Sequence, residues 1–248
     1  MQEVSNGYWT TGGRASNGHA DYLVQDRLFP MLEALGYKMA DAKVGAFPEG
    51  TSSANSEGVN YTPIWYDPDT VTLEACEHVF YSSVGTNPDG RLSSSKSFTW
   101  ALFTEKATGK KFIAASTHLT YHGDAKLANF LRKKDANELT ARLKEVSAQY
   151  GAPVIVGGDF NCRVASEPYN IIVAEYENSK DSARVLLNSQ YATGHSYPST
   201  IIPAIGAAID HLFVTKDALD IKLYQTMLSY KSLISTDHVP VAIDFNIK

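Results

Sequence analysis

The sequence is poor in cysteine, has no long apolar run and carries no excess of positive charge. Only two cysteines occur in its 248 residues, Cys76 and Cys162. They lie far apart and form no metal-type cluster, so free thiols are expected. No apolar run approaches the roughly 20 residues that span a bilayer as a helix. The opening Met1-Gln2-Glu3-Val4 has neither the basic start nor the apolar centre of a secretory signal. It reads as the end of a strand entered midway and leaves the compartment open, cytoplasmic or secreted. Net charge is −5, so no overall basic field draws the chain to nucleic acid. A polyanionic substrate would need a local cation, and an acidic pocket holding a divalent metal would supply one. Internal repeats and domain-separating linkers are also missing, so one domain over residues 1–248 is expected. A hydrophobic share of 44% with 20% charged residues is that of an ordinary soluble globular protein.

Apolar periodicity divides the chain into short elements. Val24, Leu28, Met31/Leu32 and Leu35 predict a helix over 21–35, with Pro30 inside it and Gly36 as its stop. A strand is expected over 37–44, then an exposed loop over 48–58. Segments 59–66 and 71–80 read as a hairpin across Asp67-Pro68-Asp69-Thr70, a good turn sequence. Residues 82–97 are polar and read as a loop. A second hairpin joins 98–105 to 111–117 around Thr108-Gly109. The clearest helix spans 124–150, where Leu127, Leu131, Leu139, Leu143 and Val146 trace one stripe. The neighbouring Arg132, Lys133 and Lys134 read as its solvated side. A short helix is expected over 167–174, a long Ser/Thr/Pro/Gly loop over 189–207, and strands over 208–215, 221–226 and 239–245. That loop exceeds ordinary connection length, which points to a functional role.

The stretch Pro153-Val-Ile-Val-Gly-Gly-Asp-Phe-Asn161 stands out. Its β-branched run predicts a strand buried on both faces, and two glycines allow close approach or a sharp turn. In an extended chain Asp159 and Asn161 would project to the same side. Ionisable residues recur at the same place, the end of an apolar strand: His118, Asp159, Asp210 with His211, and Asp237 with His238. Residues at one rim of a sheet converge on one site. Singly, each has an ordinary account as a rim histidine or a turn carboxylate; Glu3 alone says little, and His122 and Tyr121 read as surface residues at a helix start. Together, carboxylates, a carboxamide and histidines favour a hard, oxygen-preferring cation over zinc. Such a pocket suits phosphoester hydrolysis.

The segments Met1-Gln-Glu-Val-Ser5, Ser116-Thr-His-Leu119, Gly157-Gly-Asp-Phe-Asn161, Ile209-Asp-His-Leu-Phe213 and Thr236-Asp-His-Val-Pro240 resemble, in order and spacing, the endonuclease/exonuclease/phosphatase superfamily of deoxyribonuclease-I-like hydrolases. Phe98-Thr-Trp-Ala101 looks closer to its bacterial secreted-type and deadenylase-like branches than to the abasic-site endonucleases. The resemblance implies an α/β (α+β) fold, a four-layer α/β/β/α sandwich of two mostly antiparallel sheets. Members normally begin with a strand ending in Asn; the sequence starts after it, so a domain lacking that first strand is expected. The resemblance implies Glu3 and Asp237 as metal residues, for Mg2+ or else Mn2+ or Ca2+. It implies His118, Asp159, Asn161, Asp210 and His238 as catalytic residues. Asp210 would orient His238; His238 or Asp159 would activate water; Asn161 would position the water or the phosphate; His118 would donate to a phosphate oxygen. The substrate would be a phosphoester: nucleic acid, a phospholipid or a small phosphate ester. A catalytically weak or inert binding module on the same fold is the alternative, raised by the missing strand. His211 stands where tyrosine is commoner.

Overall fold

The computed structural model describes residues 4–5, 24–40, 60–83, 96–195 and 202–248. Contacts divide the chain into two compact units, residues 1–118 and 119–248.

The first unit contains β1 (Val4–Ser5), α1 (Val24–Ala34), β2 (Lys38–Met39), β3 (Asn60–Tyr61), β4 (Trp65–Tyr66), β5 (Val71–Phe80), β6 (Ser97–Glu105) and β7 (Lys111–His118). The hairpin predicted around Thr108-Gly109 forms: β6 and β7 pair antiparallel from Phe98↔Thr117 to Thr104↔Lys111, and Gly109 takes the left-handed φ of 73° that favours glycine. The other predicted hairpin does not. Its turn closes, with the Asp67 carboxylate accepting from the Asp69 N–H at 2.8 Å. Yet β4 pairs with β2 and β5 with β6. The long, buried β6 offers β5 a nine-residue partner, and β4 is only two residues long. Ala40, Ala101 and Phe103 form a buried cluster, with Ile64, Tyr66, Val71, Leu73 and Phe112 packed on it. α1 ends before Gly36 as expected, and Pro30 lies inside it. The expected loops over 48–58 and most of 82–97, and the helix start at 21–23, lie outside the described residues.

The second unit contains α2 (Ala125–Tyr150), β8 (Val154–Asp159), α3 (Glu167–Glu175), β9 (Tyr176–Asn178), α4 (Ser179–Ser182), β10 (Val185–Leu187), β11 (Asp210–Thr215), β12 (Leu219–Thr226), α5 (Tyr230–Ser235) and β13 (Val241–Ile247). Asp124 caps α2, its carboxylate accepting from the N–H groups of Lys126 and Leu127, and Gly151 ends it at φ 61°. Leu131, Leu139, Leu143 and Val146 on its apolar stripe are buried. β11 lies antiparallel between β8 and β9, while β12 pairs with β10 in parallel and with β13 antiparallel. Phe160 and Phe213 meet edge to face at 4.9 Å in the core beside β8. Among the described residues no helix is long and apolar enough to cross a membrane.

Candidate active site

The site grows from the register of β8 on β11. Val154, Ile155 and Val156 are buried, as their β-branched run predicts. Gly157 faces Leu212 across the ladder; a Cβ there would stand 2.5 Å from Leu212 Cδ2, so the strands close up because residue 157 has no side chain. The same register sets Asp159 opposite Asp210, with both side chains buried. Like charges directly opposed on adjacent strands repel, and buried carboxylates need paired positive charge.

His238 meets that need. Its Nδ1 lies 2.8 Å from Asp210 Oδ2, and its Nε2 lies 3.9 Å from Asp159 Oδ2. Burial of the ring works against its charge, but the Asp210 hydrogen bond and charge, then the charges of Asp159 and Asp237, outweigh it. Together they lift the imidazole from 6.5 to about 9. One ligand atom from each of Asp159, Asp210 and His238 lies within 4.8 Å of the others. Two carboxylates and an imidazole fit a hard divalent cation.

Thr193 braces this geometry. It is fully buried, and its hydroxyl accepts the N–H groups of Ile209 and Asp210, each at 3.1 Å. Its carbonyl accepts the Val239 N–H at 2.6 Å. One residue thus ties the start of β11 to the strand entry carrying His238. Sequence reading flagged the long loop around Thr193 but could not single out one hydroxyl in a Ser/Thr-rich segment.

Asn161 lies beside Asp159, but not for the reason its spacing suggested. β8 ends at Asp159, and Asn161 has φ 49°, so the chain is not extended there. A turn joins them instead: the Asn161 N–H donates to Asp159 Oδ1 at 2.7 Å. The Asn161 amide donates to the Leu119 carbonyl at 3.0 Å, and the Leu119 N–H donates to the Asp159 carbonyl. Asn161 therefore fixes the strand end and the residue that follows His118.

The remaining expected residues are placed as follows. Asp237 is exposed, and its carbonyl accepts the His195 N–H at 2.7 Å. His118 ends β7 in the first unit, buried against the Lys96 ammonium. Glu3 lies outside the described residues. His211 points to the opposite face of β11 from Asp210, among Phe160, Tyr169 and Phe213. Burial holds its imidazole below the ordinary range, and the ring bonds the Cys162 carbonyl at 3.0 Å. It is a core histidine. Arg132, expected on the solvated side of α2, is half-buried with its Nε enclosed. Lys133 is also only partly exposed and pairs with Glu167 at 3.2 Å.

No curated protein matches the sequence. Among solved structures, an endonuclease/exonuclease/phosphatase from Bacteroides vulgatus is 25% identical, with TM-score 0.68 over 89% of this chain and 80% of its own. A mannosyl-6-phosphatase from Bacteroides thetaiotaomicron is 19% identical, with TM-score 0.69 over 91% and 83%. D. rerio TDP2, complexed with a single-stranded DNA product, is 16% identical, with TM-score 0.59 over 88% and 80%. The mixed α/β, two-sheet fold expected from the resemblance is the fold this chain shares with them. The sequence model of the Endonuclease/Exonuclease/phosphatase family matches residues 58–238, and the chain belongs to that family of phosphoester hydrolases.

Proposed function

We propose that the chain hydrolyses phosphoester bonds with Mg2+ or Mn2+ at a site built on Asp159, Asp210 and His238. The observation that carries this reading is the buried pair of carboxylates opposed in register, with His238 against both. Asp159 would hold the cation, with Glu3 and Asp237 as the further ligands the resemblance implies. Once bound, the cation neutralises phosphate charge and steadies the charge that develops on the oxygens.

The chain's own residues handle the proton. Asp210 accepts the Nδ1–H of His238, so the ring's basic nitrogen is Nε2. A gap of 3.9 Å to Asp159 Oδ2 is too long for a hydrogen bond and suits a bridging water. In the neutral form that a bound cation would favour, His238 takes that water's proton while Asp159 orients it; the water oxygen attacks phosphorus as the ester P–O bond breaks, and the leaving oxygen takes up a proton from solvent. Asn161 positions the Asp159 turn. His118 donates to a phosphate oxygen, a role drawn from the resemblance. With net charge −5, small phosphate esters and phospholipid head groups suit the chain better than duplex nucleic acid, whose binding rests on basic surface.

The test uses the full chain on 4-nitrophenyl phosphate, bis(4-nitrophenyl) phosphate, a mannosyl 6-phosphate, phospholipid vesicles and single-stranded DNA. Turnover is expected with Mg2+ or Mn2+, lost with EDTA, and lowered about 10²–10⁴-fold by His238→Ala. Absence of cation-dependent turnover across the panel overturns the reading.

A further inference from the structure

Two seams tie α2 to the segments that carry the site. On one, Asp135 Oδ2 accepts the Thr120 N–H at 2.9 Å, and the neighbouring Leu119 is bonded to both Asp159 and Asn161. On the other, Asn129 donates to Glu167 at 2.7 Å and Lys133 pairs with it at 3.2 Å. Glu167 opens α3, so the chain from Asp159 to Glu167 runs between the seams. In a helix of about 3.6 residues per turn, Arg132 falls between Asp135 on one side and Asn129 and Lys133 on the other. The helix therefore presents Arg132 to the turn that follows β8.

Arg132 arrives there with its donors unspent. Its Nε is enclosed and unbonded, and none of its nitrogens bonds a described residue. The side chain is only half-buried, so the terminal nitrogens are the open donors. Burial pushes the guanidinium below its ordinary value, and nearby Cys162, Asp159 and Asp135 act against that. Neither carboxylate closes on it. Asp135 Oδ2 serves Thr120, Asp159 Oδ1 serves the Asn161 N–H, and Asp159 Oδ2 faces His238. A guanidinium drawn partly out of water with five donors to satisfy suits an oxygen-rich anion arriving from outside. Its planar fork matches the oxygens of a phosphate.

We propose that Arg132 anchors the substrate's phosphoryl group, donating through its terminal nitrogens to a non-bridging oxygen on the Asp159 side of the site. The proposal rests on the hydrolase reading above and names a binding residue for it. With a net charge of −5 and two buried carboxylates opposed at the site, a phosphate anion meets repulsion there. Arg132 offsets that repulsion alongside the divalent cation. It takes no part in proton transfer, because a guanidinium keeps its proton at every working pH. An arginine that only fastened α2 to the turn would bond the groups already there, as Asp135 and Asn161 do.

Inorganic phosphate is the probe, titrated calorimetrically into the full chain with Mg2+ present. The parent is expected to bind it. Arg132→Gln is expected to bind it about 10–100-fold more weakly, the loss typical of a hydrogen bond to a charged group. Arg132→Lys keeps the charge and the stem but replaces the fork with a point charge, and a loss between those two is expected. The Mg2+-dependent rise in Tm is expected to persist in both variants. On bis(4-nitrophenyl) phosphate, Arg132→Gln is expected to raise KM with little change in kcat. A parent that binds no phosphate, or an Arg132→Gln chain that binds it as tightly as the parent, overturns the proposal. So does joint loss of phosphate binding and the Mg2+ response, because Arg132 then supports the turn and not the ligand. A fall in kcat at unchanged KM overturns it as well. Circular dichroism identifies an Arg132→Gln chain that fails to fold. Arg132→Lys then decides, and phosphate affinity equal to the parent's overturns the proposal. Phosphate binding that depends on Arg132 in a chain with no turnover on any ester keeps the anchor and rejects the hydrolase reading. Turnover with phosphate affinity indifferent to Arg132 does the reverse.

Discussion

Asp210 supplies both charge and shape to His238, and substitution separates the two. Asp210→Asn keeps the size but removes the anion 2.8 Å from Nδ1, so the ring is neither fixed in its tautomer nor stabilised once protonated. A fall in kcat of about 10²–10⁴-fold is expected, with a lower Tm below pH 9, because the same pair contributes to folding stability there. Thr193→Val probes the brace behind it. Loss of the hydroxyl strips an acceptor from two N–H groups, and a buried donor left unsatisfied costs about 1–3 kcal/mol. Urea unfolding is expected to show that loss together with reduced kcat; an unchanged midpoint would remove Thr193 from the supporting structure. The His238 titration has a definite sign. Its folded value, about 9, lies above the ordinary 6.5, so its protonated form favours folding. That contribution is complete below 6.5 and is lost as pH rises through about 9. In chelator, the parent's urea midpoint is expected to fall across that window. His238→Gln is expected to start lower and lose this part of the pH dependence.

β8 and β11 together fix the position of the carboxylates, so a change within the ladder should act at its end. Gly157→Ala places a Cβ 2.5 Å from Leu212 Cδ2, and Leu212 must move or the strands must part. Overpacking of this kind costs about 1–3 kcal/mol. Pulling Asp159 out of line with Asp210 would lower kcat as well, and adding Leu212→Ala is expected to recover part of both losses; no recovery would locate the strain elsewhere. β8 was also the most legible element, because an uninterrupted Val-Ile-Val run has few other places to go. The β6–β7 hairpin and α2 were legible for similar local reasons: a glycine turn, a capping aspartate and one apolar stripe. Pairing between distant segments was not legible. Nothing in residues 65–80 says that β4 will join β2 while β5 joins β6, since that choice depends on which partner is longer and better buried. β9, α4, β10 and α5 are three to six residues long, too short for periodicity to show. The Ser229–Ser232 capping box of α5 is a weak signal in a serine-rich stretch. For the site, residue identities were readable as strand-end acids and histidines. Thr193 was not, because its hold on the start of β11 and on Val239 comes from tertiary contact with no sequence pattern of its own.

For the molecule as a whole, excess negative charge meets two buried carboxylates set against each other. A protonated His238 and a divalent cation both relieve that repulsion, and they compete to do so. Cation binding to such a site displaces protons and strengthens as pH rises. The stabilisation conferred by Mg2+ should therefore be smaller near pH 6, where the imidazole is fully charged, than near pH 9, where it is half-discharged. At a cation concentration of 100 times Kd the gain is about 2.7 kcal/mol, which for a chain of this size raises Tm by about 5–10 °C. Thermal unfolding with and without Mg2+ at the two pH values measures both the gain and its dependence on pH. The double variant Asp159→Asn/Asp210→Asn removes both anions without changing size, and its Tm is expected to lose most of the response to Mg2+. A parent chain whose Tm is indifferent to Mg2+ and Mn2+ at both pH values would mean that this carboxylate pair holds no cation. An equal shift at pH 6 and pH 9 would mean that the cation binds away from His238. Neither readout depends on the substrate, so the cation site can be judged before any activity is known.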